Sequence, residues 1–298
     1  MFEISEVLRK EAVSANAAGW LAELPGLAAG LAEEWGFTPI SQLTGGTESL
    51  VLEVEMNDGT PAVLKLLVPR YETGAANEIA VLEVAGGSSL PELYASDADR
   101  GAMLMERLGR PLNELGLPIV RRHEILAETA ARLWHPAPHL DLPTGASKAQ
   151  WLIDLILELW ESHDRPCTSA AVEYAVECGH RRMTAHDDST AVLVHGDVHQ
   201  WNTLQAGDGF KLVDPDGLLA EAEYDMGIVM REDSVELLEG DPWERAHRLA
   251  GLTGLDAVAI WEWGVVERLS NGLMCLEVDL QPFGDEALRA ADVVATLG

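Results

Sequence analysis

Residues 192–204 read VLVHGDVHQWNTL, and residues 212–217 read LVDPDG. Asp197, Asn202 and Asp214 each stand just beyond a short apolar run with the character of a buried strand. That placement is costly for packing, because a buried polar group needs a partner. It is also useful chemistry. A carboxylate at 197 can accept or orient the proton of an attacking hydroxyl. An amide oxygen at 202 and a carboxylate at 214 can hold Mg2+ against phosphates, since hard cations take oxygen ligands. His199 and Trp201 lie inside the same loop, and His199 reads as a packing residue. Asp216 could add charge near a metal or substrate, although Pro-Asp-Gly is also a strong turn signal.

A second set of residues points to phosphate. The chain has four lysines, and Lys65 interrupts the apolar run AVLKLLV. A buried ammonium needs an anionic partner. Glu78, thirteen residues on, can supply it from a following helix, with Glu72 and Glu83 as lesser candidates. A Lys–Glu pair between a strand and its packed helix suits the gripping of nucleotide phosphates; snorkelling from an edge strand is the plainer reading. Residues 44–49 read TGGTES. Gly45 and Gly46 permit a tight turn whose N–H groups face phosphate oxygens, assisted by the hydroxyls of Thr47 or Ser49. A simple hairpin turn fits the same residues.

The elements that must carry these groups fall into two parts. The first ~35 residues carry Trp20, Leu21, Leu24, Leu27 and Leu31 at helical spacing, with Pro25 suggesting two short helices. Then come SLVLEVEM, the turn signal NDGT and PAVLKLLV, a helix ending at Gly86-Gly87, and the strand candidates ELYASDAD and RGAMLMERL. Beyond Gly109 the pattern is mainly helical, with helices expected over 119–134, 147–161, 169–184, 224–238, 255–277 and 285–297. Strand-like runs at 191–195 and 210–214 interrupt it. The fold class is α+β, with a β-rich lobe over residues 1–108 and a helical lobe over 109–298. Trp261 and Trp263 read as core residues.

Composition bounds the partners. Fifty acids against twenty bases give a net charge of −30. Such a surface repels nucleic acid and anionic lipid, and suits solubility or a cationic substrate. Between Gln205 and Gly298 there are 20 acids and 6 bases, a mild local enrichment. Three cysteines, with no CxxC pair, imply neither a disulfide framework nor a zinc site. The N-terminal residues lack the apolar stretch of a signal peptide, and no run approaches a membrane span. The expectation is a cytoplasmic protein with no implied protein partner.

Taken together, HGDVHQWN has the His-x-Asp-x-x-x-x-Asn spacing of a kinase catalytic loop, and DPD stands where kinases place a metal-binding Asp. The chain resembles the aminoglycoside phosphotransferase branch of the kinase-like fold, nearest the streptomycin 6-phosphotransferase and hydroxyurea phosphotransferase group. The resemblance covers nearly the whole chain, through AVLKLLVPRYETGAANEIAVL, MLMERL, LVHGDVHQWN, LVDPDGL and EYDMG. It implies a bilobal kinase-like fold that uses ATP and Mg2+ to phosphorylate a hydroxyl of a small molecule. By motif, Asp197 is the catalytic base and Asn202 and Asp214 are metal ligands. Lys65, paired with Glu78, contacts the ATP phosphates. Glu106 to Leu108 form the linker that holds adenine, and Asp225 braces the catalytic loop. The first lobe then binds nucleotide and the second carries the acceptor.

Departures narrow the substrate. Asp-Phe-Gly and Ala-Pro-Glu are missing, ten residues separate Asp214 from Asp225, and Gly196 stands where an activation-loop anchor would be Arg. A protein substrate loses support. Asp216, Glu232, Asp233, Glu236 and Glu267 are candidates for contacting a cationic acceptor, each competing with the reading of a solvated helix charge. The expected activity is phosphorylation of an aminoglycoside-type antibiotic; a sugar or amino-sugar kinase, or a silent kinase-like binding protein, are the alternatives.

Overall fold

The computed structural model describes residues 4–43, 48–69 and 74–297. The chain divides into two units, Met1–Gly109 and Arg110–Gly298.

The first unit runs α1 (Glu6–Ser14), α2 (Ala18–Trp35), β1 (Phe37–Gln42), β2 (Ser49–Met56), β3 (Pro61–Leu67), α3 (Gly74–Ala85), β4 (Leu93–Asp97) and β5 (Ala102–Glu106). The strands form one antiparallel sheet in the order β1-β2-β3-β5-β4. Alternation explains why β3 is apolar yet carries a lysine. Ala62, Leu64 and Leu66 enter the core with Leu8, Leu24 and Leu31 of α1 and α2. Lys65, at odd register, looks the other way and meets α3. The leading helices part at residues 15–17, where Asn16 adopts φ 56°, and not at Pro25. Pro25 lies inside α2 on its solvent face, where water can satisfy the carbonyl left by the missing N–H.

The second unit opens with a 3-10 turn (Leu112–Leu115), then α4 (Ile119–Ala130), α5 (Gly145–Ser162) and α6 (Ser169–Ala185). Four short strands follow: β6 (Val192–Val194), β7 (Thr203–Ala206), β8 (Gly209–Leu212) and β9 (Leu218–Ala220). They make two antiparallel pairs, β6 with β9 and β7 with β8. The remainder is α7 (Glu223–Arg231), α8 (Ser234–Leu237), α9 (Pro242–Thr253), α10 (Ala257–Glu277) and α11 (Phe283–Val294). Buried on nearly every face, α10 packs against α5, α6, α7, α9 and α11. Trp261 and Trp263 are core residues, and Trp261 stacks on Trp243 at 4.0 Å.

One expectation fails here. The single helix over 224–238 is broken after Arg231. Arg245 donates to the carbonyls of Met230, Glu232 and Asp233, and Arg268 donates to that of Met230, so the helical ladder stops. Asp233 then reverses the chain at φ 49°. Helix α9 and the strands β7 and β9 were not anticipated at all. Among the described residues no helix is long and apolar enough to cross a membrane.

Candidate active site

In the second unit, β6 delivers the segment His195–Asn202 and the β7–β8 hairpin closes on it. His195 is fully buried and acts as a staple. Its Nδ1 accepts the Asp197 N–H at 3.2 Å, and its Nε2 donates to the Val213 carbonyl at 3.0 Å. Burial holds the imidazole below its usual pKa, consistent with this neutral form. The Gly217 N–H returns to the His195 carbonyl at 3.0 Å. Asp225, at the first turn of α7, accepts the N–H groups of His195 (3.1 Å) and Gly196 (2.9 Å) and the Trp134 indole N–H (2.8 Å). Gly196 is required twice over. Its φ is +88°, and a Cβ there would lie 2.8 Å from Asp216 Cβ.

The hairpin places the two expected metal ligands together. Thr203 pairs with Leu212, and one step outward the Val213 N–H donates to the Asn202 carbonyl at 2.8 Å. Asn202 and Asp214 therefore flank the same end of one ladder. Asp214 sits at φ 57°, a left-handed conformation that Asp tolerates.

The Asp197 carboxylate accepts three side-chain hydrogen bonds. His199 Nε2 and Asn202 Nδ2 both donate to Oδ2 at 3.0 Å, and Arg231 Nη2 donates to Oδ1 at 2.9 Å. The His199 Nδ1 faces the N–H groups of Trp201 and Asn202, each at 3.2 Å, which fixes Nε2 as the donor. Burial would push the Asp197 carboxyl up, but His199 and Arg231 outweigh it and hold it well below the usual carboxylate range. It is ionised at neutral pH and accepts hydrogen bonds on both oxygens.

In the first unit, Lys65 Nζ lies 2.6 Å from Glu78 Oε1, both side chains nearly buried. Of the alternative partners, Glu83 is exposed and Glu72 lies outside the described residues. So do Gly45, Gly46 and Thr47. Ser49 opens β2 and is buried opposite Leu67. Glu106 ends β5, where its carboxylate accepts the Glu92 N–H at 3.1 Å and its own N–H donates to the Glu92 carbonyl at 2.9 Å. Leu108 is buried, and its carbonyl accepts from Arg107.

The acidic candidates for acceptor contact separate. Glu267 is 3% exposed, with its oxygens bonded to Tyr224 and Arg231. Asp233 is engaged by Arg122 and His123 of α4. Both are internal partners, and neither presents its carboxylate to an acceptor. Glu232 lies 3.7 Å from Arg231 Nε and is mostly covered, Glu236 is exposed on α8, and Asp216 pairs with Lys148 at 3.3 Å. Arg231 was missed by sequence reasoning. It stood in the middle of the helix expected over 224–238, and nothing there marked it.

The donor set suits magnesium. Asn202 uses its Nδ2 on Asp197, so its carbonyl oxygen takes no part in those bonds, and Asp214 supplies a carboxylate. Among the described residues no cluster of three or more His, Cys, Asp or Glu could hold a metal ion. Two hard oxygen donors, completed by water and phosphate oxygens, are a usual protein share of a Mg2+ site.

Comparison with known proteins follows the same line. Residues 34–257 match the family model described as "Aminoglycoside/hydroxyurea antibiotic resistance kinase". The chain is 30% identical over 280 residues to streptomycin 6-kinase of Streptomyces glaucescens, covering 87% of this chain and 85% of that one. It is 28% identical over 284 residues to hydroxyurea phosphotransferase of Kitasatospora aureofaciens, covering 91% and 78%. Among solved structures it is similar to choline kinase LicA from Streptococcus pneumoniae, with a TM-score of 0.63 at 11% identity over 93% of this chain and 100% of that one. It is also similar to a thermostable mutant of aminoglycoside phosphotransferase APH(4)-Ia in ternary complex with ADP and hygromycin B, with a TM-score of 0.60 at 15% identity over 90% and 97%. The fold is kinase-like.

Proposed function

The chain belongs to the aminoglycoside/hydroxyurea antibiotic resistance kinase family, and from that premise we propose that it transfers the γ-phosphate of ATP to a hydroxyl of a small-molecule antibiotic. The observation that carries this reading is the ionised Asp197, bonded through Asn202 and Val213 to the segment that bears Asp214. In the proposed step the acceptor oxygen forms a bond to the γ-phosphorus as its proton passes to the Asp197 carboxylate. The bond from that phosphorus to the bridging oxygen breaks, and ADP leaves with the electron pair. Asn202 and Asp214 would hold Mg2+, which when bound neutralises phosphate charge. Lys65, oriented by Glu78, would contact the phosphates, and residues 106–108 would hold adenine. We read residues 1–108 as the nucleotide lobe and residues 109–298 as the lobe of base and acceptor.

The named relatives make streptomycin and hydroxyurea the first acceptors to offer. The net charge of −30 favours a cationic one. Coupled ADP release should be measured with streptomycin, hydroxyurea, hygromycin B and a panel of neutral sugars. Turnover of streptomycin, with an apparent KM that rises with salt, is the expected result. A neutral sugar as best acceptor, without salt dependence, would replace the antibiotic reading by a sugar kinase. No turnover of any acceptor would leave a nucleotide-binding protein in its place.

A further inference from the structure

We propose that Arg231 positions Asp197 for phosphoryl transfer, with Glu267 and Tyr224 as its supports; this rests on the reading of Asp197 as the base. The two oxygens of Asp197 are not equivalent. Oδ2 receives two donors, His199 Nε2 and Asn202 Nδ2, each at 3.0 Å. Oδ1 receives Arg231 Nη2 alone, at 2.9 Å. A carboxylate oxygen offers about two lone-pair sites, so Oδ1 keeps one open. The geometry assigns Oδ1 as the atom that meets the acceptor hydroxyl.

His199 and Asn202 belong to the same loop as Asp197 and move with it. Among the described residues, Arg231 is the side chain from outside the loop that hydrogen-bonds this carboxylate. The guanidinium is fixed in turn. Its Nη1 donates to Glu267 Oε2 at 2.7 Å, and Tyr224 O–H donates to the other Glu267 oxygen at 2.6 Å. Glu267 is a residue of α10, and α7 touches α10 backbone to backbone. A Cβ on Gly227 would collide with Trp263, and one on Gly264 with Met230. Arg231 lies four residues beyond Gly227, and Glu267 three beyond Gly264, so the close contact brings them face to face.

One helix therefore sets the loop at two points. At its first turn Asp225 holds the loop backbone through His195 and Gly196. At its last residue Arg231 holds the reacting side chain. The end of α7 is itself secured by Arg268 and Arg245 on the Met230 carbonyl. The planar fork of Arg can span two carboxylates with fixed direction, and Lys cannot.

The test uses the full chain with Arg231→Met, Arg231→Lys and Tyr224→Phe, assayed with MgATP and streptomycin and compared by crystallography. Misplacing a reacting group by about 1 Å costs on the order of 100-fold in rate. For Arg231→Met, kcat should fall by about that factor, with KM for ATP and streptomycin within about three-fold of the parent. Arg231→Lys should recover part of the loss, and Tyr224→Phe should show a smaller loss of the same kind. In the crystal, the Asp197 carboxylate of Arg231→Met should rotate while the backbone of residues 195–197 stays in place under Asp225. If Arg231→Met does not fold, the other two variants decide on the same split of kcat from KM. Parent-like kcat in the variants, or a loss confined to KM, overturns the proposal. Should the parent itself transfer nothing to streptomycin, the functional reading has failed in that acceptor. The crystallographic comparison then decides the positioning alone, and an unmoved Asp197 carboxylate would sink it.

Discussion

Lys65 Nζ and Glu78 Oε1 stand 2.6 Å apart across the face of the sheet that the core of α1 and α2 does not cover. Removing one partner of a buried pair costs about 3–5 kcal/mol, because the other charge stays behind. Glu78→Ala should destabilise the first unit by about 3 kcal/mol and weaken ATP binding. Replacing both residues by Met should restore most of the stability and none of the nucleotide affinity. Urea denaturation and calorimetric titration of ATP over the double-mutant cycle check this; additive effects would show that the pair is not coupled.

Asp197→Asn should lower kcat by about 10²–10⁴ and leave the Kd for ATP within a few-fold, since a positioned base is lost and the proposed nucleotide contacts lie elsewhere. Single-turnover kinetics beside nucleotide titration separate the two effects. Retention of most activity would remove Asp197 from the chemistry.

Activity should need Mg2+ or Mn2+, and Asp214→Ala should cost more than Asn202→Ala. A full charge binds a divalent cation more strongly than an amide dipole does. Turnover that survives exhaustive chelation would contradict the assignment.

His123 gives a pH-dependent stability. It is buried, its Nε2 faces Asp233 at 3.2 Å and its Nδ1 accepts from Arg248 at 3.0 Å. Burial, with the guanidinium charges of Arg245 and Arg248, depresses its pKa against the pull of Asp233. A depressed histidine binds fewer protons folded than unfolded, so its contribution is complete above the unfolded pKa of about 6.5. It is lost as pH falls through the folded pKa. Thermal midpoints at pH 7.5 and 5.5 should drop further for the parent than for His123→Gln; equal drops would place its titration at the ordinary value.

Legibility in the sequence followed locality. The first sheet could be read because alternation and the NDGT turn are local, and the misfit of Lys65 marked the face that meets α3. Helix α9 could have been found. Asp241 caps it by accepting the Trp243 N–H at 3.0 Å, Pro242 stands in its first turn, and Gly254 ends it. Likewise AGDG between Leu204 and Leu212 is a hairpin signal, and it forms the β7–β8 turn. The end of α7 could not be read. It depends on Arg245 and Arg268, which are distant in sequence and take its carbonyls. Glu267 misled for the same reason, since an acid in an amphipathic run resembles a solvated face until its partners Tyr224 and Arg231 are known.

Gly196 has a consequence for control. An anchoring arginine at this place would need a Cβ where Asp216 already stands, on a backbone turned to φ +88°. No single substitution can fit that side chain without remaking the turn that carries Asp197. A covalent on-switch that reads through an arginine at this position is thus closed by the backbone itself.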